Sequence, residues 1–540
     1  MRVIHFGSLL IAAQLFAALL PAAEYHLSPD GDDSADGSVA APWRTLARAS
    51  QFAAEPGFKP GDAILLAAGK RFTGKLVLIA PTIGLAGRPI TIASSGPEPA
   101  TIDAGAETAV ETTDIGGLVI RRLNLVGTAV AKGKNCGLAI NAQSGNGERY
   151  PAVVVEDVNA TGFSKYGIAI GSWGRTYAGF DGVTISRCQA TGNGDTGITI
   201  YDQAHKDDLG KYAHRGLLIS DSIASENRSG SGFVLCGVDG GLMERCRAHR
   251  NRGKGGGVGI WTYSARNVVI QHCISDQNKT GGKDGGGFDI DGGSESCVVQ
   301  YCYSYGNDGM GFMHCDYPNS RPTVNNTIRW CISENDGRKG GDDATFAYVS
   351  WGEGIADCVI ENCVGRGVAK NNGRMVGLWS QVLRGYGKSP RIERCVFRNN
   401  IVSMHGPMDL LARIDRPEGG GVTFQGNLYW AATAPTRWQD GEKEALSLAE
   451  WRAMGFERDG GRDLGACADP MFVGSDGMGE VTAVETLQGA TAYRVKAGSP
   501  ATGLGVVPGP IPGIAPAKKD FSGTQLRQEA SISAGAYVVP

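Results

Sequence analysis

Residues 270–278 read IQHCISDQN, and residues 299–307 read VQYCYSYGN. The same pattern recurs as ISRCQATGN (185–193), ISDSIASEN (219–227), MERCRAHRN (243–251), IRWCISEN (328–335), IENCVGRG (360–367) and IERCVFRNN (392–400). The leading apolar residues are Ile185, Ile219, Met243, Ile270, Val299, Ile328, Ile360 and Ile392. Three positions on stand Cys188, Ser222, Cys246, Cys273, Cys302, Cys331, Cys363 and Cys395, and Asn193, Asn227, Asn251, Asn278, Asn307 and Asn335 follow in most copies. A glycine-rich turn then leads to a second apolar strand, as in GITIY, GFVLC, GIWTY, GFDID and GFMHC. The spacing is irregular while the internal pattern is fixed, so the unit is a set of short strands joined by turns of variable length. Alternating segments this short exclude stacked helix pairs. An all-β parallel β-helix, one coil per unit, buries one apolar face from each.

On this reading, stacked cysteines are small buried hydrophobes rather than a disulfide framework, and stacked asparagines bond to one another at turns. Bulk properties agree with a large buried core: 540 residues, 42% hydrophobic, with 81 glycines but only 23 prolines. The net charge of −3 provides no field for nucleic acid. The N-terminus carries Arg2, an apolar run over Leu9–Leu20 and small residues at Ala22 and Ala23, which predicts a cleaved export signal over 1–23. No later segment reads as a membrane span. The expected protein is a secreted or periplasmic monomer. It comprises an N-terminal cap and first coils over 24–114, with a short helix over Leu46–Ala54. A β-helix over 115–425 and a C-terminal capping region over 426–540 follow.

The opening YHLSPDGDD…APWRTL…PGD, the Asn-ending coils and the closing ADP…GSPA…DFSG…GAY resemble the secreted right-handed parallel β-helix proteins of the pectate lyase-like superfamily. That resemblance spans nearly the whole mature chain. It implies a right-handed solenoid and activity on polysaccharides, mostly acidic ones, as hydrolase, lyase or epimerase. It does not choose among these.

The chemistry centres on KDGGGFDIDGGSE (283–295). Strand alternation sends Phe288 and Ile290 inward and turns Asp289 and Asp291 outward together, with Cα atoms roughly 6.6–7 Å apart. Such a pair can act as general acid and base, and carboxyls roughly 6.5–9.5 Å apart suit an inverting glycosidase. Asp308 on the next coil is expected to complete the cluster, and Asp284 precedes the strand. Trp261 and Tyr263, one coil earlier, are candidate sugar platforms. Tyr201 and Lys206 border or occupy the insertion YDQAHKDDLGKYAH, and His314 is a further substrate-binding candidate, although alternation points it inward. Trp351, Glu353, Trp379 and His405 are more remote candidates.

Three functions follow. The first is a glycoside hydrolase similar to the polygalacturonase type, although the chain shows no clear Gly-Asp-Asp, His-Gly and Arg-Ile-Lys set of that type. The second is a lyase or epimerase on a uronic-acid polymer, with Ca²⁺ held by Asp289 and Asp291 and with Lys206, His205 or Lys283 as base. The third is a non-catalytic glycan-binding protein. The hydrolytic reading requires no cofactor. The arginines of RCRAHRNRGK (245–254) read as a solvated face or a strip for an anionic glycan.

Overall fold

A computed structural model describes residues 21–538, except 145–146, 175–176, 207–209, 254–256, 282–283, 340–343, 369–373, 381–390, 407–409, 415–420, 434 and 527–531. Most of the expected export signal lies outside the described residues.

The chain winds as a right-handed parallel β-helix. Each central coil contributes three short strands, as in Val298–Gln300, Tyr303–Tyr305 and Phe312–Asp316. The first two strand runs belong to a wide parallel sheet, and the third run forms a separate 14-stranded sheet. Inward-facing residues stack coil upon coil: Val155, Ile185, Ile219, Met243, Ile270, Val299, Ile328 and Ile360 are in register. The next member is Phe397, followed by Phe424. Ile392, expected at this place, pairs instead with Ile355 one corner earlier.

The chemistry of the corners explains both the cysteine column and that misplacement. Arg187, Arg245, His272, Tyr301, Trp330 and Asn362 all adopt φ between 51° and 57° and turn the chain between the first and second strands. The following residue is a cysteine, whose thiol donates to the carbonyl two residues back: Cys273 to Gln271 at 3.2 Å, Cys302 to Gln300 at 3.2 Å, Cys331 to Arg329 at 3.2 Å. Ser222 makes the same bond to Ser220 through its hydroxyl, at 2.8 Å. A small side chain with one weak donor is what such a buried corner accepts. A second corner of the coil obeys the same rule, with Cys297, Cys358 and Cys395 following Ser296, Asp357 and Arg394, all at positive φ. Cys395 therefore belongs to this second column rather than the first. All thirteen cysteines are free thiols, twelve of them buried.

The next corner carries the asparagine ladder. Each amide nitrogen donates to the Oδ1 of the residue one coil on: Asn193 to Asn227, Asn227 to Asn251, Asn251 to Asn278, and Asn278 to Asn307, at 2.8–3.1 Å. Backbone N–H groups reinforce the same acceptors. A chain of donors in one direction must finish on an acceptor. It finishes on Asp336, which accepts from the amide and backbone of Asn307 at 2.8 and 2.9 Å. Asn335, expected as the last rung, instead forms the positive-φ corner (φ 58°) just before it. Asn400 and Asn427, in line with the first cysteine column, form a second, shorter ladder that ends on the buried Glu457 at 2.7 Å.

The ends are closed. Helix Leu46–Ala54 is N-capped by Thr45 and buries Leu46, Ala49 and Ala53 beside Trp43 and Phe58. At the other end, helix Leu448–Ala453 begins with a Ser447–Glu450 capping box and buries Trp451 against Trp438 and Phe456. Beyond it the chain runs back along the solenoid. Leu487, Tyr493, Ala501, Phe521, Ala534 and Tyr537 cover the outward column Ile274, Tyr303, Ile332, Val364, Ile401 and Leu428. Glu334 pins this segment by accepting from Met478 N–H at 2.8 Å and Tyr303 hydroxyl at 2.9 Å.

Two outcomes are expected. Asn278→Ala removes the acceptor of the buried Asn251 backbone N–H and of one of its amide hydrogens and should destabilise the fold by about 2–4 kcal/mol in denaturant melts. Burial also raises the carboxyls of Asp336 to about 6 and Glu457 to about 7. The native state then binds more protons than the unfolded chain. Stability is highest below the ordinary carboxyl range and falls as pH rises through 6 and 7, by roughly 3 kcal/mol per group at most. Melting temperature should be higher at pH 5 than at pH 8, and Asp336→Asn should flatten part of that difference.

Candidate active site

The 14-stranded sheet presents two outward columns. One contains Thr199, Val234, Trp261, Asp289, Met313 and Ala347. The other, two residues along each strand, contains Tyr201, Cys236, Tyr263, Asp291, Cys315 and Val349. Between the columns Phe288 and Ile290 point inward, as alternation predicts, and Phe288 stacks on Phe312 with centroids 4.9 Å apart. Asp289 and Asp291 thus share the outward side of one strand.

Their surroundings differ from expectation. Asp289 is only 4% exposed, because the neighbouring coils close over it. Met313 lies beside it in register, in an apolar outer cluster with Cys315, Ala344, Ala347 and Val349. Val258, Asp284, Gly286, Phe288, Met310 and Met313 enclose a cavity of only ≈ 10 Å³, about the room of one water molecule. Asp291 is half-buried and accepts from Gly292 N–H at 2.6 Å as the chain turns. One oxygen from each aspartate and the Cys315 sulfur lie within 4.8 Å of one another. Those oxygens are closer than the gap an inverting pair needs for its water.

Asp289 Oδ1 has no hydrogen-bond partner, and neither carboxylate has an ion-pair partner among the described residues. Burial first, then the charges of Asp291 and Asp284, push the Asp289 carboxyl well above its ordinary range. Burial raises Asp291 to about 7, against the Gly292 hydrogen bond that favours its ionised form. Asp284 is exposed and stands at a corner with φ 55°. Its charge acts on both buried carboxyls, so the acid cluster is Asp284, Asp289 and Asp291.

Asp308 does not join that cluster. Coil register stacks it on the turn beside Lys279, where it accepts from Thr280 N–H at 3.1 Å and faces Lys279 and Lys339 at 3.5 and 3.8 Å. His314 is likewise displaced from any substrate surface. It points into the interior, fully buried, with Nε2 3.2 Å from the Val359 carbonyl and its ring beside Tyr348. Burial lowers it to about 4, so it is neutral.

Trp261 and Tyr263 are half-buried and meet edge to face at 6.1 Å, Trp261 in register with Asp289. The Trp261 indole donates to Ser231 Oγ at 2.8 Å. Tyr201 lies farther along the second column and stacks on Trp173 at 4.8 Å; Trp173 in turn stacks on Tyr166 at 6.3 Å, with Lys165 above Tyr166. Trp173 and Tyr166 escape a sequence reading because they sit in turns outside the repeat. Lys206 ends a short 3₁₀ turn over Gln203–Lys206, and its side chain, like that of His205 and all of Lys283, lies outside the described residues. Cys315 was also missed, although it breaks the corner-cysteine spacing. The basic strip is engaged in pairs: Arg245 with Asp221 at 2.7 Å, and Arg247 with Asp276 at 2.8 Å. Among the described residues, no helix is long and apolar enough to cross a membrane.

The model for a right handed beta helix region matches residues 134–328. A lacto-N-biosidase of Bifidobacterium longum is 24% identical over 512 residues, covering 75% of this chain and 30% of that protein. The chain thus spans under a third of that relative's length. Among solved structures, the GH136 lacto-N-biosidase from Eubacterium ramulus aligns over 69% of this chain and 68% of its own, at 16% identity and a TM-score of 0.47. Pectate lyase Pel9A aligns over 96% of both chains, at 16% identity and a TM-score of 0.44.

Removing the unpaired buried charge should stabilise the protein. Asp289→Asn is expected to raise stability at pH 8 by about 1–3 kcal/mol, read from denaturant midpoints, while Asn278→Ala in the same assay lowers it.

Proposed function

We propose that the protein is a carbohydrate-active enzyme that hydrolyses glycosidic bonds at the Asp284–Asp289–Asp291 cluster. The observation that carries this reading is a half-buried carboxyl, Asp291, held protonated up to about pH 7 beside the exposed carboxylate Asp284. A glycosidase needs that pairing of acid and carboxylate. Asp291 is assigned to protonate the leaving glycosidic oxygen. Asp284 is assigned to the opposite task, attacking the anomeric carbon or activating a water. Asp289, closed off from solvent, is a positioning residue; burial and the charges of Asp284 and Asp316 keep the proton on Asp291. Trp261 and Tyr263 supply apolar faces and edges next to the acids, suited to a sugar ring. The sequence likeness to a lacto-N-biosidase supports hydrolysis over elimination.

Substrate charge follows from the same cluster. The charge of Asp284, which already acts on both of its neighbouring carboxyls, disfavours a uronate beside them. A neutral glycan is favoured over the acidic polymer that the resemblance implies. We also assign the protein to the exported fraction on the strength of its N-terminal apolar run.

A panel of neutral oligosaccharides, including lacto-N-type chains, and uronate polymers should be assayed for new reducing ends and for unsaturated products. Reducing ends without unsaturated products are expected. Asp291→Asn should lower kcat about 10²–10⁴-fold, and the wild-type rate should fall as pH rises through about 7, when Asp291 loses its proton. Unsaturated uronides would establish the lyase reading instead. Glycan binding unchanged by Asp291→Asn, with no turnover of any substrate, would establish a binding protein.

A further inference from the structure

The outward column that holds Asp291 carries, one coil on, a thiol that the proposed hydrolysis does not use. Cys315 is only 6% exposed, and its column position follows that of Asp291 one coil on. Nine cysteines stand at the two corners and donate to the carbonyl two residues behind them. Cys315 stands mid-strand on the outer side, where its sulfur lies 3.5 Å from its neighbour's carbonyl and hydrogen-bonds the Asp291 carboxyl. No corner geometry accounts for a cysteine here.

We infer that Asp289, Asp291 and Cys315 form a binding site for one soft divalent cation of the Zn²⁺ class. Three potential ligand atoms, two oxygens and one sulfur, lie within 4.8 Å of one another. A tetrahedral zinc site with Zn–S near 2.3 Å and Zn–O near 2.1 Å requires separations of about 3.4–3.6 Å. Small side-chain rotations supply the remaining closure. An independent observation also points to a ligand: Asp289 Oδ1 is buried without any hydrogen-bond partner. A buried carboxylate oxygen is costly to leave unmatched, and a cation is the partner that answers that cost best.

The donor set also decides the class of ion. Calcium takes six to eight oxygen ligands, whereas this site offers a thiol and two carboxylates. Thiolate with carboxylate selects a soft or borderline ion of four-coordinate habit. Binding releases the thiol proton, and any proton held by the two carboxyls, to solvent. The fourth position falls to a water or to the nearby Asp284. Because the ion takes the oxygen that would carry the catalytic proton of Asp291, an occupied site is a silenced one. That last consequence rests on the proposed hydrolysis, whereas the site itself does not.

Co²⁺ is the probe, since sulfur coordination gives a near-ultraviolet charge-transfer band that needs no activity assay. Full-length protein with Cys467→Ser, which removes the one exposed thiol, is treated with chelator and titrated with Co²⁺. One equivalent should bind with a charge-transfer band, Zn²⁺ should displace it, and millimolar Ca²⁺ should not. Cys315→Ser should abolish the band, and Asp289→Asn should weaken affinity at least tenfold with no loss of melting temperature. A band that survives Cys315→Ser, no band in a folded protein, or displacement by Ca²⁺ would each overturn the site. If hydrolysis is also observed, Zn²⁺ should inhibit the parent and spare Cys315→Ser. A cobalt band in a protein that hydrolyses no glycan would leave the metal site standing and remove only the catalytic reading.

Discussion

Parallel strands stacked about 4.8 Å apart place each side chain over its counterpart one coil below. That single constraint makes this molecule a set of columns, and each column must satisfy itself along its length. Aliphatic columns do so by burial alone. Polar columns need a direction: every asparagine amide donates onward, so the series requires a terminal acceptor, and both ladders finish on an acid, Asp336 or Glu457. The cost is a pair of carboxyls kept in the interior, with their protons held toward neutral pH.

The same rule builds the candidate site. An aspartate that replaces an outward residue on one strand is stacked between its neighbours' side chains, here Trp261 on one side and Met313 on the other. Outward on a solenoid wall therefore does not mean solvated. Asp289 faces away from the interior and is still closed over, whereas Asp291, at the strand end where the chain turns, remains half-buried. Two carboxyls on one strand, with Asp284 at the preceding corner, acquire different environments by position alone. Separation of their proton affinities follows from burial.

Much of the fold was legible from local pattern. The three-residue step from apolar residue to cysteine reports a left-handed corner, and residues 46–54 carry a plain amphipathic helix that the structure places at Leu46–Ala54. The error at IERCVFRNN has a physical origin. The coil has two corners with the same thiol-to-carbonyl chemistry, so Cys395 satisfies the local rule at the wrong one, and only register shows that Phe397 follows Ile360. Asn335 misled for a similar reason: it is a good corner residue, and the true rung is the adjacent aspartate. At the site, alternation gave the direction of Asp289, Asp291 and His314 correctly. Burial of Asp289, the diversion of Asp308 to Lys279 and the approach of Cys315 depend on neighbouring coils, whose offsets vary with turn length and cannot be read from one strand.

The central claim is that the solenoid holds a proton on the Asp289–Asp291 pair near neutral pH. Infrared difference spectroscopy between pH 5 and pH 9 tests it directly, with the wild-type spectrum compared against Asp289→Asn and Asp291→Asn. The account predicts a protonated-carboxyl band that persists to about pH 7 and is lost or shifted in each variant. A wild-type spectrum with both carboxyls already ionised at pH 5, identical to those of the variants in the protonated-carboxyl region, would contradict it.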